Sequence, residues 1–459
     1  MLDAEVLERA VSDRAPRGPY KSRAQRGRIG GVVHALTPVL ATGALLATML
    51  PLGTRSVIGA ALALGAVALL VVVMLVGLER AAVLLFLIGF ALAPASSVGF
   101  SSGAEVLPLS DLVLLVGAML LVPVLITRPF SAQALLLLAA VGFVTMATVA
   151  AIISPTPLLS LFSVARLVIG VLALPLLFAW WRPGEQMAVW LGLAYVAGAS
   201  ASVLEAVTIG DSIYGRYVGL TLHPNIFGLC SLLALAVIPY LLRRASRRWH
   251  GWLVLAAAVN AGGVWFSGSR AALVVLALAV VVYVLLDRSV RTALVIFGLS
   301  IPPTYFVGRA VTEGEDGNNA LGRLLGNSSA TPSDLDRQML REVAVNDFTS
   351  SPIFGVGFGD PLAAHNVYLQ IAAAGGILTV TFFVLVLLAT LRQSFVIGRR
   401  HLLLAIPAVA YITIAPLTSL IWERYIWAVL ALPFLLPVVA ARSDRGVRRP
   451  PADDAASMR

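Results

Sequence analysis

One histidine and a few scattered arginines are the side chains in this sequence best suited to acid–base and anion chemistry. His365 stands in 354–376, FGVGFGDPLAAHNVYLQIAAAGG, where a long polar stretch runs back into apolar sequence; Asn366 and Tyr368 follow on the first turn of the helix expected there. An imidazole that titrates near neutrality accepts a proton from a hydroxyl or orients one. The arginines are Arg166, Arg216, Arg270 and Arg337. Arg270 ends the tight turn Ser267-Gly268-Ser269-Arg270 between two apolar runs, and Arg216 precedes His223-Pro224-Asn225, which opens the next run. Guanidinium groups stay charged and grip phosphate oxygens in pairs, so several that converge suit a diphosphate. Plainer alternatives stand beside each reading. Arginine stems also snorkel to lipid headgroups, and a histidine also caps a helix, which suits His223 better than His365. The glycines of 355–359 read either as amides turned toward an anion or as a hinge.

The elements that must position these residues are membrane helices. Of 459 residues, 59% are hydrophobic and 12% charged, with a mean hydropathy of +0.92, which excludes an ordinary soluble globule. Apolar runs of about 17–25 residues recur along the chain, the length that crosses a bilayer as helix, and they lack the alternation of a β-barrel. The expected fold is all-α: a polytopic transmembrane helix bundle of about 12–14 spans. The chain divides into a basic tail at 1–30, a transmembrane bundle at 31–310, a large extracytoplasmic loop at 311–364, C-terminal transmembrane helices at 365–441 and a second tail at 442–459. The first tail lacks the apolar segment of a signal peptide. Spans are expected near 32–50 and 292–310, and the last near 424–441.

The net charge of +10 loses its nucleic-acid implication once the charges are placed. With the N-terminus inside, the turns at Arg128, Arg182, Arg243–Arg248, Arg288 and Arg392–Arg400 all fall on the cytoplasmic side, as the positive-inside rule asks. The loop at 311–364 is then outside, too long for a connection without a role. Within it, Ser333-Asp334-Leu335-Asp336 reads as a capped helix start. Leu335, Met339, Leu340, Val343 and Phe348 continue as an amphipathic helix on the membrane surface, ending before Pro352.

Nothing in the spacing of His, Cys, Asp and Glu suits a metal, and no cofactor motif is present. Asp334 and Asp336 are explained as the cap. The single cysteine, Cys230, can form no intramolecular disulfide.

Taken together, Gly-Arg-Tyr and His-Pro-Asn in 215–225, Ser-Gly-Ser-Arg-Ala-Ala in 267–272, an arginine-bearing outer helix, Gly-Val-Gly-Phe-Gly and Ala-His-Asn-Val-Tyr-Leu-Gln resemble the O-antigen ligase and polymerase superfamily over roughly 80–440. The resemblance implies a glycosyltransferase of the bacterial cytoplasmic membrane with its site facing outside. Its donor would be a glycan on undecaprenyl diphosphate, its acceptor a hydroxyl of a glycan, lipid or protein, and its surroundings membrane lipid. It implies that Arg216 and Arg270, with Arg337, hold the diphosphate and that His365 activates or positions the acceptor. Arg166, His223, Asn225, Asn366 and Tyr368 would line the substrate, and arginine charge would replace a metal. Where many members carry an acid before the glycine of the following helix, this chain reads Ala372-Ala373-Ala374-Gly375-Gly376, so another group would orient the imidazole.

A transporter or flippase of lipid-linked sugars is the rival reading. Such proteins place their charges near the bilayer midplane on broken helices, whereas the arginines here fall at the expected rim.

Overall fold

The computed structural model describes residues 57–102, 105–130, 132–210, 212–291, 294, 320–324, 331–359, 364–418 and 424–438. Both tails and the spans expected near 32–50 and 292–310 lie outside the described residues, apart from Leu294. Two compact units divide the chain, Met1–Ala81 and Ala82–Arg459. The first contributes α1 (Val57–Val76) and the opening residues of α2 (Leu78–Leu92).

The second unit is a helix bundle, built in order from the rest of α2, α3 (Leu109–Leu125), α4 (Ala134–Ile153), α5 (Pro157–Trp181), α6 (Glu185–Thr208), α7 (Pro224–Arg244), α8 (His250–Phe266), α9 (Arg270–Asp287), α10 (Ala320–Leu324), α11 (Thr331–Ser350), α12 (Val367–Val396), α13 (Ala405–Ile414) and α14 (Arg424–Leu430). Seven helical segments among the described residues are long and apolar enough to cross a membrane. The protein is a multi-pass membrane protein of all-α fold. Helices solve the membrane problem because each satisfies its own backbone polar groups. Small residues let them close up: a Cβ on Gly198 of α6 would lie 1.8 Å from the Ala91 carbonyl oxygen, and one on Gly142 of α4 would lie 2.2 Å from the Phe382 ring of α12.

Three local features differ from the sequence expectation. The segment expected as a span at 424–441 is only the seven-residue α14 followed by a 3-10 turn at Leu432–Leu435. Pro433 interrupts it, and its residues from Tyr425 to Leu436 are almost all buried, so it fills the bundle instead of facing lipid. Secondly, α11 begins at Thr331, two residues before the expected cap, which puts Ser333 inside the helix. Its two faces divide cleanly: Leu335, Met339 and Val343 are exposed, while Ala344 and Phe348 pack on Ala364, Leu369 and Ala373.

Thirdly, the first amides of the glycine-rich stretch, Gly355 to Gly357, are taken up by carbonyls and not turned toward an anion. Gly376 has φ 73° and ψ −179°, which breaks α12. The Ile377 amide, which would have continued the helix to Ala373, donates instead to the Pro352 carbonyl (2.8 Å). Val356 and Gly357 replace the lost donors, their amides reaching the Ala373 and Ala374 carbonyls at 2.9 Å each. The stretch is thus a strap that splints the break, and it sets the short first half of α12, which begins immediately after His365-Asn366. A Cβ on Gly376 would sit 2.0 Å from the Ile353 oxygen. Gly376→Ala combines overpacking with left-handed strain and should lower stability by roughly 2–5 kcal/mol, read as a depressed unfolding midpoint of the purified protein in detergent.

One end of the bundle collects the basic turns. There Arg243 pairs with Asp287, while Arg244 lies 3.6 Å from Glu185 and donates to the Arg400 carbonyl at 2.8 Å. The other end carries the N-termini of α7, α9 and α12.

Candidate functional site

The turn between α8 and α9 organises this second end. Ser267 Oγ donates to the Val264 carbonyl and accepts from the Ser269 amide, Gly268 takes φ 61°, and Ser269 caps α9 by accepting from the Ala272 amide. The carbonyls at the crest of this turn are held by arginines from elsewhere in the chain. Arg216 Nε donates to Ser267 O at 2.9 Å and Arg323 Nη1 to Gly268 O at 3.0 Å. The turn thus fixes two guanidinium groups, and Arg270 follows it directly. Gly228 of α7 allows the close approach, since a Cβ there would fall 2.5 Å from Ser267 Oγ and 3.0 Å from Ser269 Cβ.

Arg216 arrives on a minimal hairpin, β3 (Ser212–Ile213) with β4 (Arg216–Tyr217). Tyr214 and Gly215 both have positive φ, the geometry of a tight two-residue turn. Tyr217 stacks edge-on against Phe266 at 5.7 Å, and Arg216 Nη2 donates to Asn225 Oδ1 at 2.7 Å. A second hairpin, β1 (Gly99–Ser102) with β2 (Glu105–Pro108), borders it; the Ser97 amide donates to the Leu220 carbonyl at 3.1 Å.

A small open cavity lies beside the turn, lined by Asn225, Ser269, Arg270, Arg323 and Arg337, with Ile414 and Leu417 on its apolar side. Burial, then the charges of Arg323, Arg337 and Arg270, pull the Arg216 guanidinium down to about 9. That value leaves it cationic at neutral pH, and burial lowers it more than the three neighbouring charges do. Guanidinium groups grouped in this way suit an anion, and the positive end of the α9 dipole points the same way.

His365 sits with φ 49°, a conformation that costs a non-glycine residue energy and clusters at functional sites. Burial and the Arg337 charge lower its pKa, so the neutral imidazole, the form able to take a proton, is favoured at neutral pH. His223 feels His365 and three of the arginines as well. Packing of part of its ring, followed by the charges of Arg216, His365, Arg337 and Arg323, brings it down to about 4. Its Nδ1 accepts the Asn225 amide at 3.1 Å and caps α7. Protonation would destroy that cap. Because His223 binds its proton less readily folded than unfolded, its contribution is complete above pH 6.5 and is lost as pH falls through about 4. His223→Asn, which keeps a capping oxygen without titrating there, should flatten the fall of the unfolding midpoint over this window relative to wild type.

The structure therefore brings Arg216, His223, Asn225, Arg270, Arg337 and His365 to one end and adds Arg323, which sequence reasoning missed. Asn366 and Tyr368 stand beside them with their polar groups engaged in support. Asn366 Oδ1 accepts the Leu369 amide at 3.1 Å to cap α12, and the Tyr368 hydroxyl donates to the Ile412 carbonyl at 3.1 Å. Arg166, on α5, has its guanidinium 5.8 Å from the Phe162 ring centroid and does not line the cavity. Comparison of the whole chain with protein-family models finds no matching family, and comparison with curated proteins finds no relative. Function must be argued from the site itself.

Proposed function

We propose that the protein is a membrane glycosyltransferase of the O-antigen ligase and polymerase type, facing the outside of a bacterial cytoplasmic membrane. The observation that carries this reading is the convergence of four arginines and two histidines, from six separate segments, on one end of a membrane bundle beside a helix N-terminus. A diphosphate is the ligand whose charge and oxygen geometry match such a set of guanidinium groups. The opposite end holds the arginine-rich turns, so the positive-inside rule turns the cluster outward.

In the proposed reaction the donor is a glycan on undecaprenyl diphosphate. Arg270, Arg323 and Arg337, which line the cavity, hold the diphosphate, with the buried Arg216 adding its charge from behind the turn, and together they stabilise the charge that grows as the glycosidic bond breaks. Neutral His365 takes the proton from the acceptor hydroxyl as that oxygen bonds to the anomeric carbon. Electrostatic preorganisation by the SGSR turn does most of the work, because Arg216 and Arg323 are held on its carbonyls before the donor arrives.

The test is to incubate the purified protein with an undecaprenyl diphosphate-linked oligosaccharide and candidate acceptors and to follow the glycan by gel. A ladder of products identifies a polymerase, and a single transfer to an added acceptor identifies a ligase. Donor that remains intact with every acceptor while it crosses vesicle membranes would overturn the reading in favour of a transporter.

A further inference from the structure

The anion site opens onto an apolar row. Arg270 is the first residue of α9 and lines the cavity. At 3.6 residues per turn, Val274, Leu278, Val281 and Leu285 share its side of the helix within an arc of about 80°. These four are exposed, at 48%, 39%, 53% and 66%, whereas Ala272, Val275 and Ala279, on the opposite side, are buried. Among the seven candidate spans of the described residues α9 is the least buried, at 17% against 39% or more. Beside it, α13 and the turn after it bring Ile414 and the half-exposed Leu417 to the apolar side of the cavity. A charged pocket and a lipid-facing stripe about 22 Å long, from Arg270 to Leu285 at 1.5 Å per residue, are therefore continuous.

We propose that this row of α9 is the track for the polyisoprenyl chain of the donor, its diphosphate against Arg270 and its chain running down Val274, Leu278, Val281 and Leu285. The inference rests on the diphosphate reading above and adds where the lipid lies. Exposed apolar residues on other helices face the bilayer as well. What distinguishes α9 is that its row begins at a guanidinium of the anion site, which tethers one end of a chain and raises its local concentration along the stripe. A helix such as α4, with Val141 66% exposed and no charged residue in its length, has no such tether.

Photocrosslinking in nanodiscs of phosphatidylethanolamine and phosphatidylglycerol tests this directly. A photoreactive p-benzoylphenylalanine replaces Val281 in one protein and Val141 in a second, and the probe is a tritiated polyprenyl diphosphate. The expected result is capture of the probe at 281, competed away by unlabelled polyprenyl diphosphate and reduced about tenfold or more by Arg270→Ala, as loss of a charge-assisted phosphate contact requires, with only bulk lipid captured at 141. Equal capture at the two positions, or capture at 281 indifferent to Arg270→Ala, would overturn the track and show bulk lipid alone. If the glycan is transferred but the probe is not captured at 281, the track fails and the enzyme reading stands. If the protein neither transfers the glycan nor binds the probe at all, both fail.

Discussion

Arg323→Ala is expected to lower glycan transfer by about 10²–10³-fold, the loss typical when one preorganised donor to a developing anion is removed. Arg323 is 4% exposed, lines the cavity and holds the Gly268 carbonyl, so its guanidinium is fixed before any ligand arrives. Since charge accumulates on the diphosphate only as the bond breaks, kcat should fall by a larger factor than KM rises. The substitution also strips the Gly268 carbonyl of its donor, at a cost of about 1–3 kcal/mol if the group stays buried. Arg323→Lys separates the two effects: it retains a charge without the planar fork. Recovery of folding with only partial recovery of kcat is the expected pattern, measured by steady-state transfer and thermal unfolding side by side.

The second large effect is at His365. His365→Gly should abolish its part in proton transfer, worth about 10²–10⁴-fold, yet leave thermal stability unchanged or slightly raised. Glycine relieves a left-handed strain of about 1 kcal/mol or more, which offsets its greater freedom in the unfolded chain. A residue whose loss ruins activity without harming the fold is held in its strained position for function. The pH profile provides the complementary readout. With the imidazole pKa lowered by burial and by Arg337, kcat/KM should stay high as pH falls toward 6.5 and drop only below it. Arg337→Gln removes the neighbouring charge and should move that drop to higher pH.

Much of the architecture was legible because membrane helices announce themselves by length and hydropathy. The runs around 134–153, 157–181 and 224–244 could hardly be anything else in a chain of this composition. Arg270 was legible too, since a guanidinium in a turn of four residues has little room to move away from the rim. Arg323 was not. It lies in Gly322-Arg323-Leu324 within a long polar loop, without periodicity or cap to mark it, and only the tertiary contact with Gly268 distinguishes it from a solvated arginine. A faint signal was the five-residue α10 itself, an apolar-and-arginine turn inside otherwise polar sequence.

The glycine cluster misled for a physical reason. Glycines that free backbone amides for an anion and glycines that free them for another carbonyl look the same in sequence, and what decides is the break at Gly376 some twenty residues later. The β3–β4 hairpin was hidden likewise, because strands of two residues are too short for alternation to register. His223, the histidine better suited to a cap in sequence, does cap α7, whereas the Tyr368 hydroxyl, occupied by the Ile412 carbonyl, carries no sign of that duty in sequence.

We propose that the arginine and histidine end of the bundle cleaves a lipid diphosphate–glycan bond. Free polyprenyl diphosphate released by the purified protein from a lipid-linked oligosaccharide, quantified by mass spectrometry beside transferred glycan, tests it most directly. The expected result is one polyprenyl diphosphate released per glycan transferred, with both falling together in Arg323→Ala and His365→Gly. An intact lipid-linked donor in the presence of acceptor, or equal release by wild type and both variants, would contradict it.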